Sequence, residues 1–127
     1  MAGMTIRTER VHDVLDDDGS TSSEWRVLVD RLWPRGIAKE RLAHDDWDKD
    51  VAPSADLRRA FHGGELDFSE FSHRYRAELD ASDAPGELLE RARKEGADTI
   101  TLLFANKDTE HNHAEVLRDH LEELAHG

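Results

Sequence analysis

The stretch Trp25-Arg26-Val27-Leu28-Val29-Asp30-Arg31-Leu32-Trp33-Pro34-Arg35-Gly36 decides the fold. Val27, Leu28, Val29 and Leu32 give a segment running from Trp25 to Leu32 the apolar middle of a central strand, and Asp30 and Arg31 suit a strand that is leaving the core. Pro34 bars regular pairing and Gly36 can take a backbone shape closed to other residues, so the strand ends in a shaped turn. A second exit matches it: the apolar run Thr99-Ile100-Thr101-Leu102-Leu103-Phe104 gives way to Ala105-Asn106-Lys107-Asp108-Thr109-Glu110-His111-Asn112-His113, the polar entrance to a last helix. In open α/β sheets the carboxyl ends of the strands face the ligand crevice, so Arg35, Lys107 and His111 are expected in one cleft at that edge.

Between and around these runs the chain alternates strand and helix signals. Thr5 to Val14 reads as a first strand, followed by the polar loop Asp16 to Ser23, whose triple aspartate lacks the spacing of a calcium loop. Lys39 to Asp50 reads as a short helix or irregular cover ending before Pro53. Ser54 caps a helix that stops at Gly63-Gly64, and Asp67 caps a second one with Phe68, Phe71, Tyr75 and Leu79 at three- and four-residue steps. Asp83 or Ala84 with Pro85 opens a third helix that ends at Gly96. The last helix is expected from Asp108 to about Ala125, with Ala114, Leu117, Leu121 and Leu124 along one side. Three strands interleaved with helices predict one compact α/β domain over residues 5–125, a small, mostly parallel sheet flanked by helices.

Composition narrows the function. The chain has 127 residues, enough for a single core, and a formal net charge of −12, which argues against broad binding to nucleic-acid backbones while leaving room for a small cationic pocket. The absence of cysteine removes disulfides, thiolate metal sites and cysteine nucleophiles. No apolar run approaches the roughly 20 residues that cross a bilayer, so no membrane association and a cytoplasmic location are expected. Zinc-peptidase, Walker and Rossmann signatures are missing, and no cofactor or metal is expected.

The remaining chemistry sits at the two exits. Arg35, stiffened by Pro34 and freed by Gly36, suits a carboxylate or phosphate, with structural pairing to one of the many acids as the alternative. Trp33 either stacks on a ligand or roofs the core. Asp108 is placed to cap the last helix, and Lys107 stands where free N–H groups already favour an anion. On a helical wheel Glu110 and His113 fall near the apolar stripe, forming an acid–imidazole pair that serves either as a general base or as a structural tie, while His111 lies at its margin and Asn112 points away.

Three separated motifs, Leu28 to Gly36, Asp46 to Ser54 and Lys107 to Ala114, together resemble the YeaO-like branch of domain-of-unknown-function family 488 from about Ile6 to Leu124. The resemblance implies a compact α/β fold and a catalytic role for polar motif positions, which fall here on Asp30, Arg31, Trp33, Arg35, Gly36, Lys107, Asp108, Glu110, His111 and Asn112. Two positions depart from that pattern: His12 and Phe104 stand where tyrosine is usual, and if either hydroxyl donates a proton or positions a ligand in the family, His12 or water must serve here instead. Two function classes follow. One is an enzyme acting on a small anionic or nucleotide-like substrate by water-mediated hydrolysis or proton transfer, with His111, His113, Glu110 and Asp108 catalytic. The other is a non-catalytic module that senses an anion or engages a protein partner in a stress or regulatory pathway.

Overall fold

The computed structural model describes residues 4–16 and 23–126. Four strands, β1 (Thr5–Arg10), β2 (Glu24–Leu28), β3 (Asp46–Trp47) and β4 (Thr99–Phe104), form one sheet in the order β1-β4-β2-β3, every neighbouring pair parallel. Four helices, α1 (Ala55–His62), α2 (Phe68–Asp80), α3 (Ala84–Lys94) and α4 (His113–His126), complete the α/β fold. Parallel neighbours need long crossovers: residues 29–45 carry β2 to β3, and β4 takes its place between β1 and β2 only after α1, α2 and α3 have intervened.

The period-two alternation of the strands divides the molecule into two cores. Ile6, Val27, Val29, Ile100, Leu102 and Phe104 meet the apolar faces of all four helices, among them Leu57, Phe71, Tyr75, Leu79, Leu88 and Leu117. On the opposite face Leu28 and Leu103 meet Val11, Ile37 and Leu42, with Trp33 and Trp47 packed against them. That face has no α-helical cover. Short 3-10 turns at Val11–Asp13 and Lys39–Arg41 and the Trp33 loop cover it instead, because residues 33–47 carry Pro34 and Gly36 and no helical apolar repeat.

Caps behave as the residue types predict: Ser54 Oγ accepts from the Leu57 amide at 3.2 Å and an Asp67 carboxylate oxygen from the Glu70 amide at 2.8 Å. Gly96 ends α3 in the left-handed region, with φ at 76°. Four expectations need correction. β1 stops at Arg10, since its partner β4 ends opposite it at Phe104 and no ladder remains beyond. β2 stops at Leu28 where Leu32 was expected; Leu32 itself is 63% exposed. The segment after Lys39 holds a strand, Asp46–Trp47, whose two residues are too few for any periodic signal.

The fourth correction concerns the last helix, which begins at His113 and not at Asp108. Asn106 Oδ1 accepts from the Asp108 amide, and Asp108 Oδ1 accepts from the amides of Glu110 and His111, all at 2.9 Å. These local bonds compete with helical ones and hold the segment in turns. Asn112, expected to point outward, is fully buried and acts as the cap: its Oδ1 accepts from the Glu115 amide at 3.1 Å and its Nδ2 donates to the Asp108 carbonyl at 2.8 Å. In the Asp16 to Ser23 loop, residues 17–22 lie outside the described residues; Asp16 pairs with Arg41 at 2.9 Å.

Candidate functional site

β2 and β4 lie side by side with Leu28 opposite Leu103, so their exits emerge together. The ladder continues for one bond, from the Val29 amide to the Leu103 carbonyl at 3.0 Å. Asp30 then replaces backbone pairing with its side chain, one carboxylate oxygen accepting from the Ala105 amide at 3.0 Å. The other carboxylate oxygen lies 3.1 Å from His113 Nε2, and the Val29 carbonyl oxygen is also 3.1 Å from that nitrogen. A ring that donates through Nε2 can direct its hydrogen at only one of these acceptors well; the carbonyl has hydrogen-bond geometry, and the carboxylate oxygen is buried without an aligned donor. Asp30 thus ties the two exits together through the Ala105 amide, while the Val29 carbonyl holds the imidazole of the first residue of α4 with the Asp30 carboxylate beside it.

This junction forms the floor of a cavity of about 370 Å³ at the carboxyl ends of the central strands. One wall is apolar, built from Leu32, Ala52, Pro53, Phe61 and Phe71. Its geometry is set from α2: the buried Tyr75 hydroxyl donates to the Val51 carbonyl, holding the turn that supplies Ala52 and Pro53. The Glu78 carboxylate receives the Ser54 amide at 2.9 Å and the Ser54 hydroxyl at 2.6 Å, anchoring the start of α1. Phe61 stacks on Phe71 with centroids 4.4 Å apart, and one helical turn puts Arg58, Phe61 and His62 on the same face of α1. The Tyr75 phenol is held well above its usual range by desolvation, so it remains a donor.

Three cations line the cavity, Arg31 from the β2 exit, Lys107 from the β4 exit and Arg58 from α1. Elsewhere several bases are paired with acids, as in Arg26–Glu24, Arg41–Asp16, Arg76–Glu123 and Arg91–Asp48. Among the described residues, no acidic side chain lies in salt-bridge contact with Arg31, Arg58 or Lys107, and Arg58 Nε is buried without a hydrogen-bond partner. In a chain of formal charge −12 these three cations share one cavity with a single carboxylate, Asp30.

Of the residues singled out from sequence, Asp30, Arg31, Lys107 and His113 come together in this cavity. The others do not line it. Arg35 is exposed, and Gly36 takes φ 79° in the turn beside it. Trp33 roofs the second core, donating from Nε1 to the Ile37 carbonyl at 2.7 Å and packing edge-on against Trp47. His12 is exposed on the first 3-10 turn, and Phe104 is buried in the helical core. Asp108 is a local cap whose carboxyl is pulled below its usual range by the amides of His111 and Glu110. His111, 3.4 Å from that carboxylate, stands edge-on to the Phe68 ring and is exposed, as is Glu110. The shared cleft expected for Arg35, Lys107 and His111 thus holds Lys107 alone of the three, and the acid facing His113 is Asp30, not Glu110.

Arg58, Phe61 and His62 were missed because in sequence they belong to an ordinary capped helix. The signal available was the motif Asp46 to Ser54, whose Ala52 and Pro53 line the cavity and lead directly into that helix. Among the described residues, no group of three or more His, Cys, Asp or Glu is arranged to hold a metal ion, and no helix is long and apolar enough to cross a membrane.

Comparison with known proteins places this geometry in a family. A family model described as "Inactive DUF488-N3 subclade" matches residues 5–126. The chain is similar to the uncharacterized protein YeaO of Escherichia coli (strain K12), 45% identical over 122 residues that cover 95% of this chain and 100% of that protein. It is similar also to the uncharacterized protein Rv3073c of Mycobacterium tuberculosis (strain ATCC 25618 / H37Rv), 41% identical over 113 residues, 88% of this chain and 89% of the relative. No solved structure matches the chain. With both strand exits and the connecting turns inside the matched region, the chain belongs to the YeaO-like DUF488 family.

Proposed function

We propose that this protein binds a small anionic ligand in the cavity between the β2 and β4 exits and does not transform it. The observation that carries this reading is the convergence of Arg31, Arg58 and Lys107, none paired with an acid among the described residues, on one cavity of a strongly acidic protein. Two guanidinium forks and an ammonium suit an oxyanion, and the whole-molecule field repels anions, so affinity rests on these short contacts. The His113 ring is engaged by the Val29 carbonyl and Asp30, an arrangement that serves to fasten α4 to the sheet. The matched subclade is described as inactive, which supports binding without turnover.

A catalytic reading has one observation in its favour, the Asp30–His113 pair on the cavity floor, which resembles an oriented general base. Calorimetric titration with phenyl phosphate, phenyl sulfate and benzoate, followed by product analysis after long incubation, separates the two. Binding of at least one of these anions, weakened by about tenfold or more in Arg58→Ala and Lys107→Ala with no product formed, is the expected result. Undiminished affinity in both variants, or no binding of any of the three, overturns the anion site. Conversion of a bound ligand that disappears in His113→Ala would establish the enzyme instead.

A further inference from the structure

Charge and shape within the cavity define its ligand more narrowly. Arg31, Arg58 and Lys107 face one carboxylate, Asp30, so with histidines counted neutral the cavity carries a formal surplus of two positive charges. A monoanion would leave one of those charges uncompensated, whereas a dianion matches both. Among common small oxyanions near neutral pH, the phosphomonoester fits that charge: it carries about −1.5 to −2, while a sulfate ester or carboxylate carries a single negative charge.

Shape adds a second requirement. At about 30 Å³ per water, the 370 Å³ cavity holds roughly a dozen waters, far more than a bare phosphate displaces. Its remaining wall is the stacked pair Phe61 and Phe71, with Pro53 beside them and Leu32 at the edge. Leu32 is one of only two large apolar side chains strongly exposed among the described residues, and it follows Arg31 directly, so the cationic and apolar walls meet at the rim. A ligand that covers Leu32 and lies along the phenylalanines while its anionic group meets the arginines removes apolar surface from water and satisfies the cations together.

Resting on the anion-binding reading, we infer that the ligand is a small phosphomonoester dianion carried on a flat, apolar ring system, the chemical class to which nucleoside monophosphates belong. Asp30, Arg31, Arg58 and Lys107 select its charge, and Leu32, Phe61 and Phe71 select its body.

Matched probes test both halves. Phenyl phosphate and phenyl sulfate share a shape and differ by one charge; phenyl phosphate and methyl phosphate share the charge and differ in the ring. Calorimetric titration of the full chain at pH 8 is expected to give phenyl phosphate at least about a tenfold advantage over phenyl sulfate, as a further unit charge near unpaired cations implies. Phenyl phosphate is also expected to bind more tightly than methyl phosphate, with that second advantage reduced in Leu32→Ser, a change at an exposed position that leaves the core intact. Equal binding of phosphate and sulfate esters would overturn the dianion assignment while preserving an anion site. Equal binding of the two phosphates, or a ring preference unmoved by Leu32→Ser and Phe61→Ala alike, would overturn the assignment of the apolar body. Failure of all these anions to bind would overturn the anion reading itself.

Discussion

The exits of β2 and β4 are neighbours in space and similar in composition, yet they divide their labour differently. At the β2 exit the first polar residue, Asp30, turns inward to the Ala105 amide and lies beside His113, and the next, Arg31, faces the cavity. At the β4 exit three residues, Asn106, Asp108 and Asn112, serve the backbone, and Lys107, set among them, faces the cavity. A polar motif residue is therefore no guide to ligand contact. What separates the roles is the number of unmet backbone donors nearby, which capture short carboxylate and amide side chains and leave long cationic ones free.

The division can be broken residue by residue. The largest loss of stability is expected for Asp30→Ala, about 2 to 3 kcal/mol by chemical denaturation, because the Ala105 amide loses its acceptor and His113 its acid. Asp30→Asn, which keeps an acceptor for Ala105, should lose less. Asn112→Ala should cost about 1 to 2 kcal/mol, the range of a lost helix cap. An outcome near zero for Asn112→Ala would show that α4 does not depend on this cap.

Asp108→Asn sharpens the contrast through pH. Its carboxyl is depressed below 3.8 by the amides of His111 and Glu110, so the charged form contributes stability at neutral pH and that contribution is lost as pH falls through the folded-state value. The stability gap between wild type and Asp108→Asn should thus be smaller than that of Asn112→Ala and should close below pH 3.8. A gap unchanged in acid would mean that charge plays no part. The smallest effect is expected at Arg35: Arg35→Ala should alter stability by no more than about 0.5 kcal/mol. It should also leave phenyl phosphate binding unaltered, whereas Arg31→Ala, equally exposed, should weaken binding with no greater loss of stability. Equal weakening by both would move the site outward along the loop.

Much of the fold was legible because its signals are local. The strand Thr99–Phe104 is a run of β-branched and apolar residues bounded by turns, and α1 and α2 are announced by Ser54 and Asp67, whose side chains bond amides three residues on. The start of α4 misled for the same reason. Asp108 looks like a cap and does accept amides, but Asn106 and Asn112 offer the backbone competing partners within a few residues, and the helix waits until the second of them. Glu110 consequently never reaches the helical position from which it would meet His113.

By itself the sequence determined the layered α/β class, the two polar strand exits and the large excess of acids over bases, since periodicity, capping and charge are properties of neighbouring residues. Only the tertiary structure decided which groups converge. Asp30 meets His113 across the sheet because parallel register sets the β2 and β4 ends level, and Arg58 joins Arg31 and Lys107 because Tyr75 and Glu78 of α2 hold the approach to α1 over that edge. Those partners stand far apart in the chain, and no pattern within one helix or strand encodes the distance between them.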